Sequence, residues 1–199
     1  MPANNANATT VLLCGVGGQG TILAADLLAK TAIAAGCTVK LSEIHGMSQR
    51  GGAVTTIVRF GDDVASMVTD LGSADYIVAF ETTEALRNAP YLKEGGMLLV
   101  NDESIKPLPV LTGSAAMPAQ ARERLLELGA TLIPAGAIAN EAGNSKSTNV
   151  VLLGALASGM GFDLPLWEDQ IAKRVPAHTI DVNIAAFRAG AAAAQGGGR

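Results

Sequence analysis

The run Gly15-Val16-Gly17-Gly18-Gln19-Gly20, placed directly after the apolar residues 10–14, constrains the fold more than any other stretch of the chain. Four glycines in six positions cost backbone entropy, and they are worth that cost where the main chain must turn left-handed or approach a neighbour closely. A buried strand running into such a loop and then into a helix is the opening unit of a doubly wound sheet. The loop gathers backbone N–H groups and the positive end of the helix dipole around one point, which favours an anion. Gly15, Gly17 and Gly20 also match G-x-G-x-x-G, and Glu43 stands near the end of the next predicted strand, where a ribose-binding carboxylate is expected in a dinucleotide enzyme. The same glycines also allow a less favoured reading, a tight turn that binds nothing.

Periodicity and punctuation extend this opening into a full pattern. Residues 11–14 read as a buried parallel strand, and residues 19–35 as a helix burying Ile22, Leu23, Leu27, Leu28 and Ile33 and closed by Gly36. Residues 38–44 and 53–60 are strands joined by a short loop, so they are either antiparallel neighbours or splayed strands. Residues 76–80 form a strand leading into a Thr82-capped helix to about Leu92, and a Gly95-Gly96 turn precedes the strand 97–100. A short helix opened by Pro118 and closed by Gly129, a strand at 131–133, and helices at 149–160, 167–175 and 180–194 complete the pattern. The expected fold is α/β: a Rossmann-like mixed, mostly parallel sheet flanked by helices, with a C-terminal helical segment. The expected organisation is a flexible stretch at 1–9, one domain over 10–160, a helical extension over 161–194 and a disordered tail over 195–199.

Composition narrows the function. At 199 residues there is no room for a separate substrate domain. Charged residues make up 16% of the chain and hydrophobic ones 49%, against ~25% charged in ordinary domains, so part of the surface is expected to meet a partner. Fourteen Lys and Arg against 18 Asp and Glu give a net charge of −4 without a basic block, which argues against nucleic acid. The polar start lacks a secretory pattern and no apolar run reaches a membrane-spanning length, so a cytoplasmic chain off the membrane is expected. The two cysteines, Cys14 and Cys37, cannot hold an iron–sulfur cluster, which normally takes four thiolates. Cys14 reads as a small buried apolar residue.

A second loop changes the weight of the first. Glu43-Ile44-His45-Gly46-Met47-Ser48-Gln49-Arg50-Gly51-Gly52 follows the second strand and presents a titratable ring, a hydroxyl, an amide and a fixed cation where a dinucleotide enzyme would simply turn away. A third motif, Lys146-Ser147-Thr148-Asn149 and the apolar residues after it, opens a helix. Ordinary capping by Thr148 or Asn149 explains it, although a lysine at a helix start opposes the dipole and suits an anion or an acidic surface. Taken together and in this order, the three motifs resemble the gamma-type domain of the 2-oxoacid:ferredoxin oxidoreductases. Within that family they are most similar to the indolepyruvate (arylpyruvate) branch, over about residues 11–160.

The resemblance implies a subunit, inactive alone, of an enzyme that oxidises an aryl 2-oxoacid with coenzyme A to acyl-CoA, carbon dioxide and reduced ferredoxin. It implies a larger partner chain carrying thiamine diphosphate, magnesium and 4Fe–4S clusters, with ferredoxin or a similar acceptor served by the complex. Gly15, Gly17, Gly18, Gln19 and Gly20 are then expected to receive a phosphate-bearing group, coenzyme A before others. His45, Met47, Ser48, Gln49, Arg50, Lys146 and Asn149 are expected at the subunit interface or pocket, with His45 as the one candidate acid–base group and no metal ligands. The competing readings are a free-standing NAD(P)- or flavin-dependent oxidoreductase and a ligand-free assembly subunit.

Overall fold

A computed structural model of the chain describes residues 8–45 and 52–196, the side chains of His45, Leu108 and Pro109 excepted. The described strands are β1 (Thr9–Val16), β2 (Thr38–His45), β3 (Ala53–Gly61), β4 (Ala74–Ala79), β5 (Leu92–Asn101) and β6 (Thr131–Ile133). They form one sheet in the order β2-β3-β1-β4-β5-β6. β3 runs antiparallel to both of its neighbours, and β1, β4, β5 and β6 are parallel. The mixed, mostly parallel sheet expected from the chain is therefore present, and the two strands joined by the second loop are antiparallel neighbours.

The helices are α1 (Thr21–Ala34), α2 (Thr82–Asn88), α3 (Leu108–Leu111), α4 (Ala121–Glu127), α5 (Ala135–Glu141), α6 (Thr148–Ala157), α7 (Leu164–Arg174) and α8 (Ile180–Gly196). Alternation along the strands divides the core. Val11, Leu13, Val58, Phe60, Val78, Phe80 and Leu99 face α1 and α6, with Trp167, Ile171 and Phe187 from α7 and α8 completing that side. Leu12, Cys14, Ile77, Ala79, Leu98 and Val100 face Ala85 of α2 and Leu125 of α4. β1 is buried on both faces, which is why it reads as an unbroken apolar run. In α6 every residue from Asn149 to Ala157 is buried, as suits a helix enclosed between the sheet and α8.

Several boundaries differ from the sequence expectation, each for a physical reason. α1 buries Leu27 and Leu28, but Ile22 and Ile33 are 56% and 59% exposed; they lie about three turns apart on one outward stripe, and Ala24, Ala25, Thr31 and Ala32 fill the inner face instead. The cap of α2 is Glu81 and not Thr82: its carboxylate accepts the N–H groups of Thr83, at 3.0 Å, and Glu84. Gly95 and Gly96 lie inside β5, where a side chain on Gly96 would stand 2.9 Å from the Asp75 carbonyl. α4 starts at Ala121, beyond Pro118, and α5 occupies a stretch of small residues that carried no helical pattern.

Candidate functional site

The strand order puts the topological switch point at the carboxyl ends of β1 and β4, where successive connections leave in opposite directions along the sheet. The glycine loop leaves β1 at this point. Gly20 has φ +84° and forms the N-cap of α1, which no side chain caps and which lacks an acid in its first turn. Gly18 has φ +103° and, among the described residues, nothing within 4 Å of where its side chain would start, whereas a side chain on Gly15 would meet Gln19 Oε1 at 2.7 Å and Phe80 Cβ at 2.8 Å. The loop is thus glycine for two different reasons, close packing at Gly15 and left-handed backbone at Gly18 and Gly20.

Much of the loop's hydrogen bonding is already used inside the protein. Gly17 N–H donates to the Gly52 carbonyl at 2.9 Å, and Gln19 N–H to the Val16 carbonyl at 3.2 Å. The Gln19 side chain is a clasp: its Oε1 accepts from Val16 N–H at 2.8 Å and its Nε2 donates to the Phe80 carbonyl at 3.0 Å. Among the described residues, Gly18 and Gly20 retain N–H groups that no backbone acceptor engages.

Asn149 is brought to this loop. Its Nδ2 donates to the Gly20 carbonyl at 3.4 Å and its Oδ1 accepts Val150 N–H at 3.0 Å, so the starts of α1 and α6 are tied together. Lys146, exposed on the short 3-10 turn before α6, has its N–H held by Asn144 Oδ1 at 3.1 Å. Thr148 donates its hydroxyl to the Ser145 carbonyl. The backbone of His45 pairs with Val54 at the end of β2, on the same edge as Val16, which pairs with Ala53. Met47, Ser48, Gln49, Arg50 and the His45 side chain lie outside the described residues. Glu43 is exposed on β2, and β3 separates that strand from β1 by a full strand position. The distance is about 9.5 Å, so the carboxylate is not beside the glycine loop as a ribose ligand must be.

Sequence reasoning passed over the buried polar groups that follow β4 and β5. Glu81 and Glu84 are both buried. The Glu84 carboxyl is pushed above its ordinary range by burial, with Arg87 opposing at 3.3 Å and Glu81 adding to the rise, and its Oε2 has no partner among the described residues. Burial, reinforced by Glu84 and Glu81, also holds the Cys14 thiol well above its usual range. Asn101, buried at the end of β5, donates to the Phe80 carbonyl at 3.2 Å and accepts Ala135 N–H at 3.1 Å. Glu81-x-x-Glu84 has the spacing of a capping box but only the N-cap half of its bonds, from the Glu81 carboxylate to the N–H groups of Thr83 and Glu84, and that spacing is the local signal for this pair.

An α/β sheet with a glycine loop at its switch point defines the class: a Rossmann-like ligand-binding or assembly domain. The chain belongs to the pyruvate ferredoxin/flavodoxin oxidoreductase family, whose pattern matches residues 10–193. It is 44% identical, over 93% of its length and 95% of the relative's, to the indolepyruvate oxidoreductase subunit IorB of Thermococcus kodakarensis. It superposes with a TM-score of 0.71 and 27% identity on the gamma subunit of a keto/oxoacid ferredoxin oxidoreductase from Geobacter sulfurreducens, covering 94% of this chain and 99% of that one. The fold also recurs, with a TM-score of 0.72 and 21% identity over 96% of this chain, as 31% of the 2-oxoglutarate:ferredoxin oxidoreductase chain of Magnetococcus marinus. No helix among the described residues is long and apolar enough to cross a membrane.

Proposed function

We propose that this chain is the subunit without iron–sulfur clusters of an indolepyruvate (arylpyruvate):ferredoxin oxidoreductase. In that role it supports the coenzyme A-dependent oxidative decarboxylation of an aryl 2-oxoacid to acyl-CoA, carbon dioxide and reduced ferredoxin, in the cytoplasm. The observation that carries the reading is the 44% identity to IorB along nearly the whole of both chains. Thiamine diphosphate, magnesium and 4Fe–4S clusters are assigned to a larger partner chain, without which this one is inactive. This chain's two cysteines, of which Cys14 is buried, fall short of the four thiolates that a 4Fe–4S cluster normally takes, which supports placing the clusters in the partner.

The contribution assigned to this chain is a phosphate seat for coenzyme A at the glycine loop. Its support is the space beside Gly18 among the described residues, the uncapped start of α1, the start of α6 fastened beside it through Asn149, and the exposed Lys146 cation nearby in sequence. The internal bonds of Val16, Gly17 and Gln19 favour a second reading, in which the loop is a rigid surface packed against the larger chain. Calorimetric titration of coenzyme A into the assembled complex separates the two. Binding at least about tenfold weaker in Gly18→Val than in wild type, a loss of ~1.4 kcal/mol, is expected for a phosphate seat. Unchanged affinity leaves only the packing role.

A further inference from the structure

Asn101 makes no bond to the glycine loop, yet one acceptor joins them. The Phe80 carbonyl takes a hydrogen bond from Gln19 Nε2 at 3.0 Å and another from Asn101 Nδ2 at 3.2 Å. Beyond these, Gln19 Oε1 accepts Val16 N–H at 2.8 Å and Asn101 Oδ1 accepts Ala135 N–H at 3.1 Å. Each amide has only one workable orientation, since turning either over would set oxygen against oxygen and NH2 against N–H. The result is a continuous relay across the carboxyl edge, from the β1 loop through the end of β4 and the end of β5 to the start of α5.

The residue that carries this carbonyl is anchored through its preceding peptide as well. Phe80 N–H donates to the Cys14 carbonyl at 2.8 Å, continuing the β1–β4 ladder. Phe80 Cβ lies 2.8 Å from where a Gly15 side chain would begin, so Phe80 packs directly on the loop. With both lone pairs of its carbonyl engaged, the peptide has a fixed direction, and Gln19 closes on a fixed target. Loss of the Asn101 donor frees the carbonyl to turn, and the clasp follows it. A buried amide is retained against the cost of its desolvation only when both of its ends are bonded, so the geometry of Asn101 is strongly specified.

We propose that Asn101 is a positioning residue for the glycine loop, acting through the Phe80 carbonyl and the Gln19 clasp. The inference is independent of which ligand or surface the loop meets.

Hydrogen exchange of the assembled complex, followed by mass spectrometry on peptides spanning residues 15–20, tests it. Asn101→Ala is expected to speed exchange in this segment by about tenfold, as befits one lost buried hydrogen bond. Asn101→Asp keeps the acceptor for Ala135 N–H and removes the donor to Phe80, so it should speed exchange in the loop while leaving the start of α5 protected; it serves also where the alanine variant fails to assemble. In a Gln19→Ala background the further change at residue 101 should have no added effect on the loop, because the link is already cut. Loop exchange within twofold of wild type in the assembled variants, or an equal acceleration with and without Gln19, overturns the proposal.

Discussion

At the scale of single residues, the carboxyl edge of the sheet sets unlike requirements on chemically similar groups. Gly15 is glycine because Gln19 and Phe80 crowd the space its side chain would take, and Gly18 because its backbone is left-handed. Gly15→Ala should therefore open the clasp and expose the loop, seen as faster proteolysis and exchange at residues 15–20. Gly18→Ala should cost about 1–3 kcal/mol of stability through backbone strain alone, measured by denaturant unfolding, with the clasp intact. Glu84 yields a pH prediction. Its carboxyl titrates above the ordinary carboxylate range because burial disfavours the charge. Folded and unfolded states both bind the proton below the unfolded value, so the penalty is absent there, and stability is lost as pH rises through the raised value. Glu84→Gln should thus gain in melting temperature relative to wild type as pH rises above the ordinary glutamate value and through the raised one. A difference that stays flat across this range would show that the Arg87 contact cancels the burial cost.

At the scale of elements, the tightest packing lies between α6 and α8. A side chain on Gly154 would stand 1.9 Å from the Phe187 carbonyl, and one on Gly190 would stand 2.0 Å from the Val151 carbonyl. Alanine improves helix propensity by ~1 kcal/mol, but backbone atoms at these distances cannot yield without separating the helices. Each substitution should be net destabilising by about 1–3 kcal/mol in chemical denaturation, and the pair should cost less than the sum, since the first already moves the helices apart. A stabilised Gly154→Ala would refute the close approach. The elements legible from sequence were those with a period or a stop: β1 from its apolar run, α1 from its glycine end, and β2 and β3 from their β-branched residues. α5 was not legible because Ala135, Gly136 and Ala139 carry no amphipathic pattern, and the Glu81 cap was obscured by the adjacent threonines. The glycine loop and its contact from Asn149 lay in recognisable motifs. The relay through Phe80 and Asn101 did not, because it depends on β5 lying beside β4, and strand order is not written in local periodicity. Likewise Glu43 occupied a plausible ribose position until β3 was found between β2 and β1.

At the scale of the whole molecule, the sheet is not equally covered. α2 and α4 cover β4, β5 and part of β1 on one face, but across β2 and β3 the described residues on that face are those of the irregular segment 63–70. Arg59 holds this segment by donating to the carbonyls of Ser66 and Val68, and Lys40, directly opposite Arg59 in the ladder, donates to that of Ala65. Between segment and sheet lies a groove of about 370 Å³ lined by Leu12, Ile44, Ile57, Met67, Val68 and Tyr91. Ile44 is 60% exposed and Val68 71%, beside the unpaired edge of β2. Sheets with parallel strands are ordinarily buried on both faces, and an apolar patch continuous with a free strand edge promotes association. With charged residues at 16% of the chain, there is little to oppose it. The chain produced alone should therefore self-associate, and light scattering after size exclusion should show a mass that rises with concentration. Ile44→Lys with Val68→Lys should reduce that association while leaving the melting temperature within about 3 °C of wild type, because both side chains are mostly solvated already. A wild-type chain that stays monomeric at all concentrations, or a double variant that associates as before, would show that the uncovered face is tolerated by an independent domain.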